Sequence, residues 1–383
     1  MRIVHVITRL IIGGAQENTI LTCEGLRERG HDVYLLSGPT NGPEGSLVDR
    51  ARAGAYTFEE LPDLVRRVSP LHDLRALRAL RRRFRALRPD LVHTHSSKAG
   101  ALGRIAAHQA GVPHIVHTIH GMSFNRTQPR YVRAIYASTE RFCAKRCHAI
   151  VSVADAMTTQ ALEARIGRPE QFEIIRSGMI VEDFHPAAAN PAKMRQSWNI
   201  NDDAILVGTV ARLFHNKGYE QLIEVMDAAL KQAPNLRFVW IGGGSARSVY
   251  EAELTRRGMR DKAILTGLLP PSEMPRVFAA IDILAHTSQW EGLPRAVVQA
   301  MLMEKPTVSF AIDGTPEVVL PGETGELVEL GDCHGFAAAL TALAQDPTRR
   351  AAYGLNGRKR CLAEFDHRTM VDRLEELYQR LAE

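Results

Sequence analysis

The sequence predicts an α/β protein made of two doubly wound, Rossmann-like parallel-sheet domains facing a central cleft. Three observations lead there. Strand-like apolar runs alternate with amphipathic stretches along the whole chain, the pattern of a parallel sheet covered on both faces. The alternation restarts near residue 205. The chain has 383 residues, too many for one ordinary core and comfortable for two.

In the first half the expected strands are residues 3–7, 32–37, 91–95, 114–119, 149–153 and 173–177, several of them separated by stretches long enough for helices. In the second half they are 205–210, 236–241, 263–266, 283–286, 307–310 and 325–328. The two openings resemble each other. Thr8-Arg9-Leu10 followed by Gly13-Gly14 parallels Ala211-Arg212-Leu213 followed by Lys217-Gly218. The polar, Pro-containing stretch 182–203 reads as the join. The expected domains are therefore 1–185 and 204–365, with a last helix in about 366–383 able to pack back on the first domain.

Composition bounds the function. Hydrophobic content of 45% and charged content of 24% exclude a disordered or fibrous chain. No apolar run approaches the roughly 20 residues that span a bilayer, and no basic-plus-apolar leader opens the sequence, so the expected location is cytoplasmic. Five scattered cysteines do not form a disulfide framework. Cys143, Cys147 and His148 invite a metal reading, but their stretch reads as helical and has no second ligand pair nearby in sequence. The net charge of +5 is uneven. Residues 1–185 hold 26 Lys+Arg against 18 Asp+Glu (+8), and the rest 22 against 25 (−3). The first half thus favours anionic partners.

Ligands of open α/β sheets bind beyond the carboxyl ends of the strands, so the loops after strands matter most. Gly13 and Gly14 follow the first strand and open a helix, where the backbone can approach an anionic group; a simple tight turn explains them equally well. They do not form the Gly-x-Gly-x-x-Gly fingerprint, and no convincing acidic ribose site follows, which disfavours a nicotinamide enzyme. Arg212 and Lys217 flank a loop that opens a helix near Gly218. Two cations at a helix N-terminus suit a diphosphate, though two solvated charges would look the same. Glu291 follows the strand 283–286 and Gln299 lies on the next helix. Glu291 can accept sugar hydroxyls, or merely complement a helix N-terminus.

The combination is more specific than its parts. Arg212-x4-Lys217, Gly242-Gly243-Gly244, Thr266-Gly267, Ser288-Gln-Trp-Glu291-Gly292-Leu293-Pro294, Gly314-Thr-Pro-Glu317 and Pro321-Gly-Glu-Thr-Gly325 occur in order. The first half adds Gly13-Gly14-Ala15-Gln16, His93-Thr-His95-Ser96, His117-Thr-Ile-His120-Gly121 and Glu140-Arg141. Over nearly the whole chain this resembles the family 4 glycosyltransferases, retaining enzymes of the GT-B fold.

The resemblance implies roles. Arg212 and Lys217 match the pair that binds the donor diphosphate and stabilises the leaving group. Glu291 matches the first Glu of the Glu-x7-Glu motif, which contacts the donor sugar's hydroxyls, and His120 the family His near the reacting sugar. Gly14, with Gly13 beside it, matches the loop glycine near the donor phosphate. Leu268 and Leu269 sit where the family holds the nucleobase. Gly243, Gly292 and Leu293 complete the donor-binding set. Gln299 replaces the motif's second Glu, which usually binds the ribose; an amide still donates and accepts hydrogen bonds but carries no charge. Ser177-Gly178 stands where Asn-Gly is common.

The implied function is hexosyl transfer, with retention and without a metal, from a nucleotide-diphosphate sugar, UDP-linked by preference. The acceptor is a saccharide or lipid-linked glycan of cell-surface polysaccharide or glycoconjugate synthesis. No cofactor is expected beyond the donor. His93 and His95 share a strand face, but GT-B enzymes do not need a bound metal and no Asp-x-Asp clamp occurs, so they read as hydrogen-bonding histidines. Residues 72–87 place Leu74, Leu77, Leu80, Phe84 and Leu87 on one helical face and six arginines on the rest. This is a solvated face or a contact for anionic membrane, which would make the protein peripheral on the inner face of the membrane. Aromatic residues do not interleave the arginines, so nucleic acid is not expected. The alternatives are a sugar-nucleotide 2-epimerase of the same fold and a non-catalytic nucleotide-sugar-binding protein.

Overall fold

The computed structural model describes residues 1–42, 44–188 and 190–383. They form two compact units, Met1–Met179 with His367–Glu383, and Ile180–Asp366.

The first unit runs β1 (Arg2–Ile7), α1 (Gly14–Glu28), β2 (Asp32–Ser37), α2 (Val48–Ala53), β3 (Thr57–Glu60), α3 (Pro70–Leu87), β4 (Leu91–His95), α4 (Ser97–Ala110), β5 (His114–Ile119), α5 (Arg130–Ala144), β6 (Ala149–Ser152), α6 (Asp155–Glu163) and β7 (Phe172–Ile174). Its seven strands are parallel in the order β3-β2-β1-β4-β5-β6-β7. The central strands are buried because helices cover both faces; Ile3, Val4, Val6, Leu91 and Val92 are fully buried, and so are His5 and His93 among them. Right-handed crossovers place α3, α4 and α5 on one face, with α4 packed against both α3 and α5.

One buried ion pair ties that helical layer together. Arg104 on α4 is fully buried. It donates to the Gly100 carbonyl at 2.7 Å and to Glu140 Oε2 on α5 at 2.6 Å. Replacing Arg104 with leucine strands the Glu140 carboxylate and is expected to cost about 3–5 kcal/mol. Combining Arg104→Met with Glu140→Leu should recover most of it, as read by urea unfolding. A loss from the single change no larger than that of an ordinary surface substitution would count against the pair.

The second unit runs α7 (Pro191–Ser197), β8 (Ile205–Val210), α8 (Tyr219–Gln232), β9 (Leu236–Ile241), α9 (Arg247–Arg256), β10 (Ala263–Gly267), α10 (Met274–Ala280), β11 (Ile283–His286), α11 (Arg295–Leu302), β12 (Thr307–Phe310), β13 (Gly325–Val328), α12 (Cys333–Gln345) and α13 (Pro347–Glu364). Its six strands are parallel in the order β10-β9-β8-β11-β12-β13. Val207, Tyr219, Phe238, Trp240, Phe310 and Phe336 fill its core. Tyr219 also donates its hydroxyl to the Ala211 carbonyl at 2.8 Å, which ties the start of α8 to the loop after β8.

The boundaries differ from those expected. The first unit ends at Met179, not residue 185. The stretch expected to be a linker belongs to the second unit, where Arg195 of α7 pairs with Asp282 at 3.1 Å and donates to the Ala204 carbonyl at 2.7 Å. The last helix, α14 (His367–Ala382), belongs to the first unit. Its Met370 sulfur accepts from Asn18 at 2.9 Å and from the Gly178 N–H at 3.1 Å, and its Glu375 pairs with His31 at 2.8 Å. Strand β3 was not expected; Thr57-Phe-Glu-Glu60 has a single apolar residue because it lies at the sheet edge. Among the described residues, no helix is long and apolar enough to cross a membrane.

Candidate active site

In the second sheet the strand order reverses between the neighbours β8 and β11, which is where an open α/β sheet offers its ligand crevice. The loop after β8 carries Arg212 and passes through the turn His215–Lys217 to Gly218, the N-cap of α8. Gly218 has φ 73, and a Cβ on it would lie 1.7 Å from the Thr287 carbonyl oxygen. Only glycine lets the loops after β8 and β11 meet so closely. Gly242, φ 143, likewise brings the end of β9 against the Ala211 carbonyl, 2.1 Å from where a Cβ would sit.

These contacts bring Lys217 and Glu291 together. Lys217 Nζ donates to Glu291 Oε1 at 2.5 Å and to Ser288 Oγ at 3.2 Å. His286 Nε2 is 3.5 Å from the same carboxylate oxygen. The Glu291 N–H donates to Asp313 Oδ2 at 2.7 Å, fixing the loop. Burial pushes the Glu291 carboxyl up, but the Lys217 charge and the His286 hydrogen bond outweigh it and hold the group well below the usual carboxylate range. The carboxylate is therefore ionised and able to accept hydroxyls. The Arg212 guanidinium lies 5.1 Å from the centroid of the Phe214 ring, on the same short loop as Lys217. Two cations beside the N–H groups that open α8 suit a diphosphate.

The remaining expected residues of this unit lie on the loops after β9, β10 and β11 and on α11. Gly292 and Leu293 are buried in the loop leading to α11, and Gln299 is half-buried on that helix. Gly243 faces Leu268, whose Cβ would be 3.8 Å from a Cβ on the glycine. Leu268 is exposed and Leu269 half-buried, as an edge open to a flat ligand would be. No direct contact joins Gln299 to Glu291 among the described hydrogen bonds. Sequence reasoning passed over Ser288, His286 and Asp313 as site residues. Asp313 directly precedes the quoted Gly314-Thr-Pro-Glu317, and its left-handed φ of 44 is a feature of the backbone that the sequence does not carry.

In the first unit Gly13 caps α1 with extended backbone, and both Gly13 and Gly14 are half-buried. His120, directly after β5, ends a chain of imidazoles. His5 Nδ1 is 3.0 Å from His95 Nε2, and His95 Nδ1 is 3.1 Å from His120 Nε2. Beside it, His93 bonds Thr118 Oγ1 at 2.7 Å and contacts the Tyr378 hydroxyl of α14. Burial, reinforced by neighbouring histidines, holds His93 and His95 well below the ordinary imidazole value, and burial alone lowers His5 to about 3. The rings are neutral, so each has one donor and one acceptor nitrogen. His5, His93 and His95 each place a ring nitrogen within 4.8 Å of the others, a grouping able to take a metal. However, apart from His5 Nε2, every ring nitrogen of the three already has a hydrogen-bond partner.

Comparison with known proteins places this geometry. The family described as "Glycosyl transferase 4-like domain" matches residues 13–178, and "Glycosyl transferases group 1" matches residues 191–360. Together they take in both units, and the chain belongs to the family 4 glycosyltransferases, with the GT-B fold. An Escherichia coli enzyme, UDP-Gal:alpha-D-GlcNAc-diphosphoundecaprenol alpha-1,3-galactosyltransferase, is 27% identical over 99% of this chain and 96% of its own length. The Anabaena protein HepE, solved with UDP and glucose, superposes with a TM-score of 0.85 at 22% identity, covering 99% of this chain and all of that one. Sucrose-phosphate synthase from Thermosynechococcus elongatus superposes with a TM-score of 0.84 at 20% identity, over 100% of this chain and 99% of that one.

Proposed function

We propose that this glycosyltransferase moves a hexose from a UDP-linked sugar, with retention at the anomeric carbon and without a metal, to a saccharide or lipid-linked acceptor of a cell-surface glycan. The observation that carries the reading is the Lys217–Glu291 pair at the switch point of the second sheet, with Arg212 on the same loop as Lys217. In this reading the Lys217 ammonium and Arg212 guanidinium take up the negative charge that develops on the departing diphosphate. Glu291, positioned by Lys217, accepts hydroxyls of the transferred sugar. Ser288 and Asp313 hold these groups in position. Gly13 and Gly14 admit the donor phosphate, Gly243, Leu268 and Leu269 border the base, and Gln299 meets the ribose. The family resemblance assigns His120, backed by His95, to the reacting sugar. The E. coli relative's name gives a UDP-sugar donor and a diphosphoundecaprenol-linked acceptor, which supports this choice of substrate classes. The exposed Arg75, Arg78, Arg81, Arg82 and Arg85 of α3 support electrostatic contact between residues 72–88 and an anionic membrane.

A thermal-shift and turnover screen over nucleotide sugars, followed by acceptors, tests the reading. Transfer from a UDP-sugar with an unchanged anomeric configuration supports it; epimerisation of the donor without an acceptor overturns it. Because the positive charge comes from side chains and a helix terminus, transfer is expected to persist in excess chelator. A strict, saturable requirement for a divalent ion would refute metal independence.

A further inference from the structure

Helix α5 presents apolar side chains where a surface helix ordinarily presents polar ones. Ala137, Glu140, Cys143 and Ala144 form its buried side. On the opposite side, at spacings of four and seven, stand Tyr131, Ile135 and Phe142. Only the small Ser138 interrupts the stripe, between Ile135 and Phe142. Tyr131 is 70%, Ile135 63% and Phe142 48% exposed. The stripe is bordered by cations. Arg130, Arg141 and Lys145 lie along one edge, and Arg146 lies along the other with its guanidinium 3.5 Å from the centroid of the Phe142 ring.

Apolar side chains are exposed on α3 too, which lies on the same side of the sheet beyond α4. At the start of α3, Leu71 is 57% and Leu74 43% exposed, and Val68 just before it is 79% exposed. Across the layer α3–α4–α5 only two acidic residues occur, and both are neutralised inside it: Asp73 by Lys98 at 2.6 Å and Glu140 by Arg104 at 2.6 Å. Leu74 was expected to belong to the buried stripe of this helix; it faces outward instead, so the layer is apolar as well as cationic.

We propose that the outer face of α5, with the start of α3, seats this protein on an anionic lipid bilayer, Tyr131, Ile135 and Phe142 entering the headgroup–acyl boundary. An amphipathic surface of aromatic and aliphatic residues edged by Arg and Lys fits an interface that is apolar below and negatively charged above. Arg83 of α3 is paired with Glu59 at 2.6 Å, and the remaining excess of positive charge on these helices complements lipid phosphate. Aromatic side chains with a polar tip or a neighbouring guanidinium suit that depth. A contact made by α3 arginines alone would vanish at high salt, whereas an apolar seat keeps part of its affinity.

The experiment uses the full chain and vesicles of phosphatidylcholine with and without phosphatidylglycerol, and needs no sugar substrate. Its outcome is therefore separable from that of the transferase reading. Wild type should co-sediment with the anionic vesicles and retain measurable binding in 1 M salt. The triple variant Tyr131→Ser, Ile135→Ser, Phe142→Ser should melt as wild type does and lose at least about tenfold in partition. In Phe142→Trp, fluorescence should shift to the blue on vesicles and be quenched by lipids brominated in the acyl chain. Unchanged partition of the triple variant, or a Phe142→Trp signal indifferent to brominated lipid, overturns the proposal. So does binding lost on changing Arg78, Arg82 and Arg85 to Gln but kept by the triple variant. A wild-type dimer that the triple variant abolishes, without any vesicle binding, would assign the face to a second copy of the chain instead.

Discussion

Replacing Lys217 with alanine is expected to lower kcat by about 10²- to 10³-fold, the effect of removing one preorganised group of about 2.7–4 kcal/mol from a developing oxyanion. Two consequences combine. The leaving diphosphate loses a cation placed by the turn His215–Lys217. Glu291 loses the ammonium at 2.5 Å that fixes its carboxylate, so its oxygens are less well placed to accept sugar hydroxyls. Lys217→Arg should recover only part of the rate, because a planar fork does not reproduce a compact ammonium between Glu291 and Ser288. Arg212→Ala should fall in the same range. Initial rates with saturating donor, alongside melting curves, decide the matter: near-normal turnover in both alanine variants would remove these residues from the site.

The second large effect is on stability in mild acid. His5, His93, His95 and His117 are buried and all are held below their unfolded value of about 6.5. For His117, burial is reinforced by the charge of Arg104. A histidine whose folded value is depressed binds fewer protons folded than unfolded. Its full contribution is therefore present above about pH 6.5 and is lost as pH falls through that value toward the folded one. One unit below, each such histidine withdraws about 1.4 kcal/mol, so the first unit should lose several kcal/mol between pH 7.5 and 5.5. Denaturant unfolding at the two values reads this. His5→Leu, which removes the ring with the unpartnered Nε2, should flatten the profile. Equal stability at both pH values would mean that these rings are hydrated or protonated in the folded protein.

The sequence made the sheets legible because buried parallel strands are mostly short apolar runs, interrupted in β1, β4 and β5 by histidines and threonines. Eleven of the thirteen strands lie within two residues of expectation, β3 being absent from the reading and β7 shifted toward its start. Edge strands such as Thr57-Phe-Glu-Glu60 escape because they need no apolar alternation to be held by one neighbour. The pairing of Lys217 with Glu291 was not legible, since it joins loops 74 positions apart through close backbone approaches at Gly218 and Gly242. Nor was the outward stripe of α5: its period of apolar residues is that of any amphipathic helix, and only packing tells which side faces the core. The domain boundary was misplaced because residues 180–203 are polar like a linker yet anchored by Arg195 through backbone carbonyls, partners that composition does not reveal.

The placement of α14 has a consequence for biogenesis. The first unit is a discontinuous domain, closed by a helix that follows all of residues 180–366 in the chain. During synthesis the groove along α1 and the buried imidazole of His93 wait for Met370, Glu375 and Tyr378 until the second unit has already emerged. Domains otherwise complete themselves in order from the N-terminus; here the later-made unit can mature first, and the earlier one remains a partly exposed intermediate. A chain stopped short at residue 366 would thus present a finished second domain joined to an unfinished first one, a natural target for chaperones and for proteolysis.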